Sequence, residues 1–174
     1  PEAPAGRLST IHTVSFAIIQ LITGLLIVAL TTAPLAVAGG LMAFLAVNQP
    51  AVVSIPALLA IVPATLLIFA VWVAACKRLV RPNPRPGLYR VYSVAYLRHW
   101  LSSIVMQIAK TIGLSIFTTL FLPPWMRLLG AKLGRHTEMS TVWRLDPDML
   151  TAGDGVFFAD GCMMSGSKIH GGWL

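Results

Sequence analysis

The chain has 174 residues, of which 56% are hydrophobic and 11% charged, and a formal net charge of +7; an ordinary soluble domain carries about 25% charged residues. That balance excludes a water-soluble domain of average surface and points to a membrane protein. Charge is also segregated, with no Asp or Glu between Glu2 and Glu138 and a basic block from Lys77 to Arg135; beside apolar spans such a block marks a cytoplasmic flank and anionic headgroups, not a nucleic-acid surface.

Because the chain starts at Pro1 and stops inside a repeat, it is expected to be a piece of a larger polypeptide. Residues 1–10 are polar with two prolines and read as a linker. The membrane region is expected over 11–76. Its first span, about 11–32, is long enough at 1.5 Å per residue to cross a hydrocarbon core of about 30 Å.

Pro34, Gly39-Gly40 and Asn48-Gln49-Pro50 then interrupt the apolar run, so the stretch from Leu35 to Val47 is expected as a short re-entrant or interfacial helix. A second span is predicted over 53–76, tolerating Pro56 and Pro63. The cluster Lys77, Arg78, Arg81, Arg85 and Arg90 places its end on the cytoplasmic side. Residues 77–95 read as a basic linker, extended through the proline-rich run from Arg81 to Gly87.

A helix is predicted over 96–122. Leu97, Leu101, Ile104, Ile108, Ile112 and Ile116 form its apolar face, with Tyr96 and Trp100 suited to headgroup level. An interfacial position is preferred to a third crossing from Leu101 to Leu122, which would hold Lys110 near mid-depth at about 2.5–3.5 kcal/mol. Pro123-Pro124 are expected to end this helix, and Arg127 and Lys132 to face the membrane surface.

Residues 123–174 carry a six-residue beat, an apolar residue followed by a small one: Leu133-Gly134, Ala152-Gly153, Phe158-Ala159 and Met164-Ser165. Hexads start at Leu133, Met139, Ala152, Phe158 and Met164. The expected fold is a membrane α-helical segment followed by the start of a left-handed parallel β-helix, in which each apolar position points inward and each small one turns a corner. Met139 to Ala152 holds one residue more than two hexads, so a bulge or loop is expected around Asp146-Pro147-Asp148. Trp143 and Lys168 stand where small residues are wanted. Asp154 and Asp160 are expected to bond turn amides, and Cys162 to be a packed thiol.

No CxxC pair, GxSxG, P-loop, HExxH or dinucleotide fingerprint is present, and neither a metal site nor a disulfide framework is indicated.

The order of apolar spans, Tyr96 to Leu101 (YLRHWL), Pro123 to Gly134 (PPWMRLLGAKLG), Asp146-Pro147-Asp148 and a hexapeptide run resembles the carboxy-terminal membrane region of nonribosomal peptide synthetases of the ε-poly-lysine synthetase type, over roughly Lys77 to Leu174. The resemblance implies a transferase with hexapeptide-acyltransferase-like domains on the cytoplasmic face of the cell (inner or plasma) membrane. It also implies peptidyl carrier and adenylation domains as partners, with phosphopantetheine on a carrier domain outside this chain and no cofactor bound here. An amine would attack an aminoacyl thioester, with membrane lipids and an amino acid as the other partners; it leaves room for a homo-oligomer.

Such a step needs a base and oxyanion donors. His136 sits in the first hexad at a position expected to face outward; His170, in an inward register before Gly171-Gly172, could leave the coil on a loop. They are the two candidate catalytic residues. Asp146 and Asp148 are the candidate substrate-binding residues, suited to the ammonium of a cationic amino acid. The chain alone is expected to be inactive. Two other readings are a non-catalytic membrane scaffold or carrier-docking module, and a coenzyme A-dependent acetyltransferase.

Overall fold

The computed structural model describes residues 9–80, 87–113, 120–142, 146–164 and 168–174. These form α1 (Thr10–Asn48), α2 (Ala51–Val80), α3 (Val94–Ile112), α4 (Leu122–Leu128), β1 (Lys132–Leu133), β2 (Glu138–Met139), a 3-10 turn (Pro147–Met149), β3 (Thr151–Ala152) and β4 (Phe157–Phe158). Among the described residues, α1 and α2 are the two helices long and apolar enough to cross a membrane. Most of residues 1–10, the run 81–86, the segment 114–119 that includes Ile116, and Trp143 lie outside the described residues.

The first correction concerns residues 31–50. No break or separate re-entrant helix occurs, because α1 continues through Pro34 and Gly39-Gly40 to Asn48. Proline removes an N–H and so orphans the carbonyl four residues earlier, here that of Leu30. The Trp72 indole on α2 donates to that carbonyl at 2.8 Å, which lets the helix run on in an apolar setting. Thr23, Thr31, Thr32 and Thr65 likewise donate to carbonyls of the preceding turn, so their hydroxyls are met within the helix.

Trp72→Phe is accordingly expected to cost about 1–3 kcal/mol, read as a lower unfolding midpoint in detergent. Adding Pro34→Ala, which returns an N–H to the Leu30 carbonyl, should recover most of the loss.

The two long helices form a hairpin packed by α3 near its ends. Phe16 meets Tyr92 edge-on at 5.4 Å and Tyr96 at 6.0 Å between ring centroids, and a Cβ on Gly24 would come within 2.8 Å of the Trp100 ring. α3 starts at Ser93, whose hydroxyl accepts from the Tyr96 N–H, and stops at Ile112 rather than Leu122. Its innermost face is Ser102, Val105, Met106 and Ala109, while the predicted stripe of Leu101, Ile104, Ile108 and Ile112 is half-buried beside it. Lys77–Val80 belong to the last turn of α2, not to a linker.

Pro123 and Pro124 do not end a helix. They open α4, where the first-turn N–H groups have no helical partner to lose. Trp125 donates its indole N–H to the Ala70 carbonyl of α2 at 3.0 Å, while α4 also contacts β1 and β2. Arg127 donates to the carbonyls of Leu133 and Gly134 at 3.1 and 2.6 Å.

β1 pairs in parallel with β3, Lys132 opposite Thr151 and Leu133 opposite Ala152. β2 pairs in parallel with β4, Glu138 opposite Phe157 and Met139 opposite Phe158. Each partner lies 19 residues further on, three hexads plus one. The extra residue is absorbed where expected, in the 3-10 turn closed by Met149 N–H to Asp146 O and Leu150 N–H to Pro147 O. Along the strands side chains alternate: Met139 and Phe158 point into the core while Glu138 and Phe157 point out.

One apolar core runs without interruption from Phe69 and Val73 on α2, through Val105 on α3 and Met126 on α4, to Met139, Val142, Leu150 and Phe158. The segment of short parallel strands is therefore packed against the helices through this core.

Candidate functional site

The helices and the strand segment meet at three polar side chains, Lys77, Ser102 and Asp148. Lys77, in the last turn of α2, is 3% exposed and pairs with Asp148, 24% exposed, on the 3-10 turn. Its ammonium also donates to the Ser102 hydroxyl of α3 at 3.4 Å. Gly130 makes room for the carboxylate, since a Cβ there would stand 2.8 Å from Asp148 Oδ1, and its φ of +113° suits glycine. The one-residue slip thus delivers a carboxylate to a buried cation. Low dielectric strengthens such a pair, and its members become costly if separated.

Beside α4 lies an open cleft of about 490 Å³ bounded by Leu120, Pro123, Glu138, Ser140, Thr141 and Phe157, with Thr137 also on its wall. Thr137 donates to the Gly134 carbonyl at 2.9 Å, and Ser140 to Asp160 at 3.4 Å. Asp154 accepts the Arg135 N–H at 2.6 Å, the corner role expected for it. The corners repeat: Gly155 N–H donates to Arg135 O and Gly161 N–H to Thr141 O, at 2.8 and 2.9 Å.

The four residues singled out in the sequence are not gathered into one site. His136 occupies the first corner with φ +54° and is exposed, next to the cleft residue Thr137. His170 does not point inward: it is exposed. Gly171-Gly172 forms a tight turn. Both glycines have positive φ, and the mutual hydrogen bonds of His170 and Trp173, 2.9 Å each, close a two-residue hairpin. That hairpin pairs with the segment after α2 through Tyr89 and Leu174, and Arg90 lies over the Trp173 ring at 5.7 Å.

Asp146 is half-buried, whereas Asp148 already carries an ammonium, that of Lys77. Cys162 is half-buried and Cys76 buried, both as free thiols. Among the described residues no three His, Cys, Asp or Glu side chains converge as metal ligands.

Lys77 is the residue that sequence reasoning missed. The available signal was electrostatic: every acid except Glu2 lies from Glu138 to Asp160, which makes that stretch the main source of counter-charge for a buried lysine.

No protein-family profile matches the chain, and no solved structure matches it. Delta-poly-L-ornithine synthetase of Acinetobacter baumannii (strain AB307-0294) is 34% identical over 109 residues, which make up 63% of this chain and 8% of that protein. The chain therefore resembles part of a poly-amino-acid synthetase and spans a small fraction of its length.

Proposed function

We propose that this chain is the membrane-anchored part of a carrier-dependent poly-amino-acid synthetase, and that its coils begin a left-handed parallel β-helix of acyltransferase type. The similarity to Delta-poly-L-ornithine synthetase carries the reading. The 19-residue parallel pairing supports the coil, and the two long apolar helices support the anchor. In this reading the coils face the cytoplasm, beside the basic end of α2.

The reaction joins an amine to an aminoacyl thioester: the nitrogen attacks the carbonyl carbon, a C–N bond forms, the C–S bond breaks, the carrier thiol leaves, and the amine gives up a proton. The cleft beside α4, with Ser140 and Thr141 hydroxyls between the apolar Leu120 and Phe157, suits an amide-bearing aliphatic arm such as phosphopantetheine, which supplies the thioester. His136 adjoins that cleft and is placed better than His170 to accept the proton. Asp146 is the freer of the two carboxylates for a substrate ammonium, because Lys77 occupies Asp148.

The test uses the full-length synthetase. His136→Ala is expected to slow thioester-dependent peptide formation by about 100-fold or more, the usual contribution of a general base. Unchanged rates in both His136→Ala and His170→Ala would remove the acid–base role. The exposure of both imidazoles favours one other reading, a carrier-docking module without chemistry of its own; substitutions lining the cleft, such as Phe157→Ala, would then weaken carrier binding and leave the rate at saturating carrier intact.

A further inference from the structure

We infer that a groove on the membrane-facing side of the helices is a binding site for one anionic phospholipid. It is separate from the cleft and encloses about 370 Å³ where α1, the last turn of α2 and the first turns of α3 meet. Leu26 and Leu30 form one wall, Leu79 the second, and Val94, Leu97 and Arg98 the third. Thr23 also borders it, but its hydroxyl is spent on the Ile19 and Gln20 carbonyls. The Arg98 guanidinium is left as the group that can select a ligand by charge.

Three observations identify the occupant. The groove opens onto apolar surface that continues along α1 and α2: Leu26, Leu79 and Val94 are 64%, 68% and 65% exposed. An acyl chain meets the same environment inside the groove as outside it. Arg98 is exposed and makes no ion pair among the described residues, and neither the groove nor the sequence from Ala3 to Thr137 contributes a carboxylate. Exposed Arg78 precedes the wall residue Leu79, so the basic end of α2 borders the groove. An apolar slot with a cation at its rim and no carboxylate in its lining is complementary to an acyl chain bearing a phosphate headgroup.

The inference needs only that the hairpin meets lipid and does not depend on the synthetase chemistry. The experiment uses the full-length protein in nanodiscs of phosphatidylcholine, alone or mixed with equimolar phosphatidylglycerol of the same acyl chains, and measures the lipid retained after mild extraction by mass spectrometry. Phosphatidylglycerol is expected to be enriched over phosphatidylcholine by about fivefold, the scale of one basic side chain at a membrane surface. Arg98→Gln should abolish the preference, Arg98→Lys should retain it, and Leu97→Trp should lower retention of both lipids. Equal retention of the two lipids by the unmodified protein, or an unchanged preference in Arg98→Gln, overturns the proposal. So does a cross-link from Leu26→Cys to another helix of the same polypeptide, which would show that protein fills the groove.

Discussion

Asp148→Ala is expected to destabilise the chain by about 3–5 kcal/mol, the cost of leaving one member of a buried ion pair without its partner. The stranded group is Lys77, 3% exposed, whose remaining partner is the Ser102 hydroxyl at 3.4 Å. A neutral hydroxyl does not compensate an ammonium. Lys77→Met should cost less, because the carboxylate it leaves behind keeps 24% of its surface in contact with solvent.

The double variant Lys77→Met, Asp148→Leu is expected to recover most of the loss, since replacing a buried pair by apolar groups is often neutral or stabilising. Unfolding midpoints of the four proteins in detergent complete the cycle. Additive losses would mean that the two residues act independently, and that the junction is held by the apolar core alone.

The second large effect is expected at Gly134. A Cβ at this position would overlap the backbone of Gly153 and Asp154 just after the paired strand β3, and backbone cannot rotate out of the way as a side chain can. Gly134→Ala should therefore force the β1 and β3 segments apart at about 1–3 kcal/mol or more, breaking the Arg135 N–H to Asp154 bond on the way. Gly153, which follows Ala152 as Gly134 follows the paired Leu133, is the internal control. Nothing lies within 4 Å of a Cβ built there, so Gly153→Ala should stay within about 0.5 kcal/mol. Equal losses at both positions would show that the effect comes from glycine itself and not from coil-to-coil contact.

What the sequence made legible was local and periodic. Leu133, Met139, Ala152 and Phe158 were chosen from a six-residue spacing, and they fall opposite one another in the strand register. The one-residue slip was countable for the same reason, and the 3-10 turn takes it up. Hydropathy was enough to find two long apolar helices.

The misreadings share a cause, which is compensation from a distant part of the chain. Pro34 carries a valid break signal, and it is overruled by a tryptophan 38 positions away in sequence that satisfies the orphaned carbonyl. Asp148 reads from the sequence as a carboxylate for a substrate ammonium, whereas its partner in the structure is the ammonium of Lys77, 71 residues earlier. His170 was assigned an inward register by extending the beat, whereas two glycines with positive φ fold that segment back onto Arg90. Periodicity carries no information about such pairings.

The hydrogen bond from Trp72 to the Leu30 carbonyl also bears on motion. A slide of α1 past α2 by one helical turn, about 5.4 Å, would pull the indole off the one carbonyl that Pro34 leaves open and present it with carbonyls already engaged. The hairpin thus has one favoured setting along its length, fixed by this bond, and close to it on α2 the Ala70 carbonyl takes the Trp125 indole of α4. The bond therefore favours a hairpin whose two helices move as one body over one whose helices slide past each other.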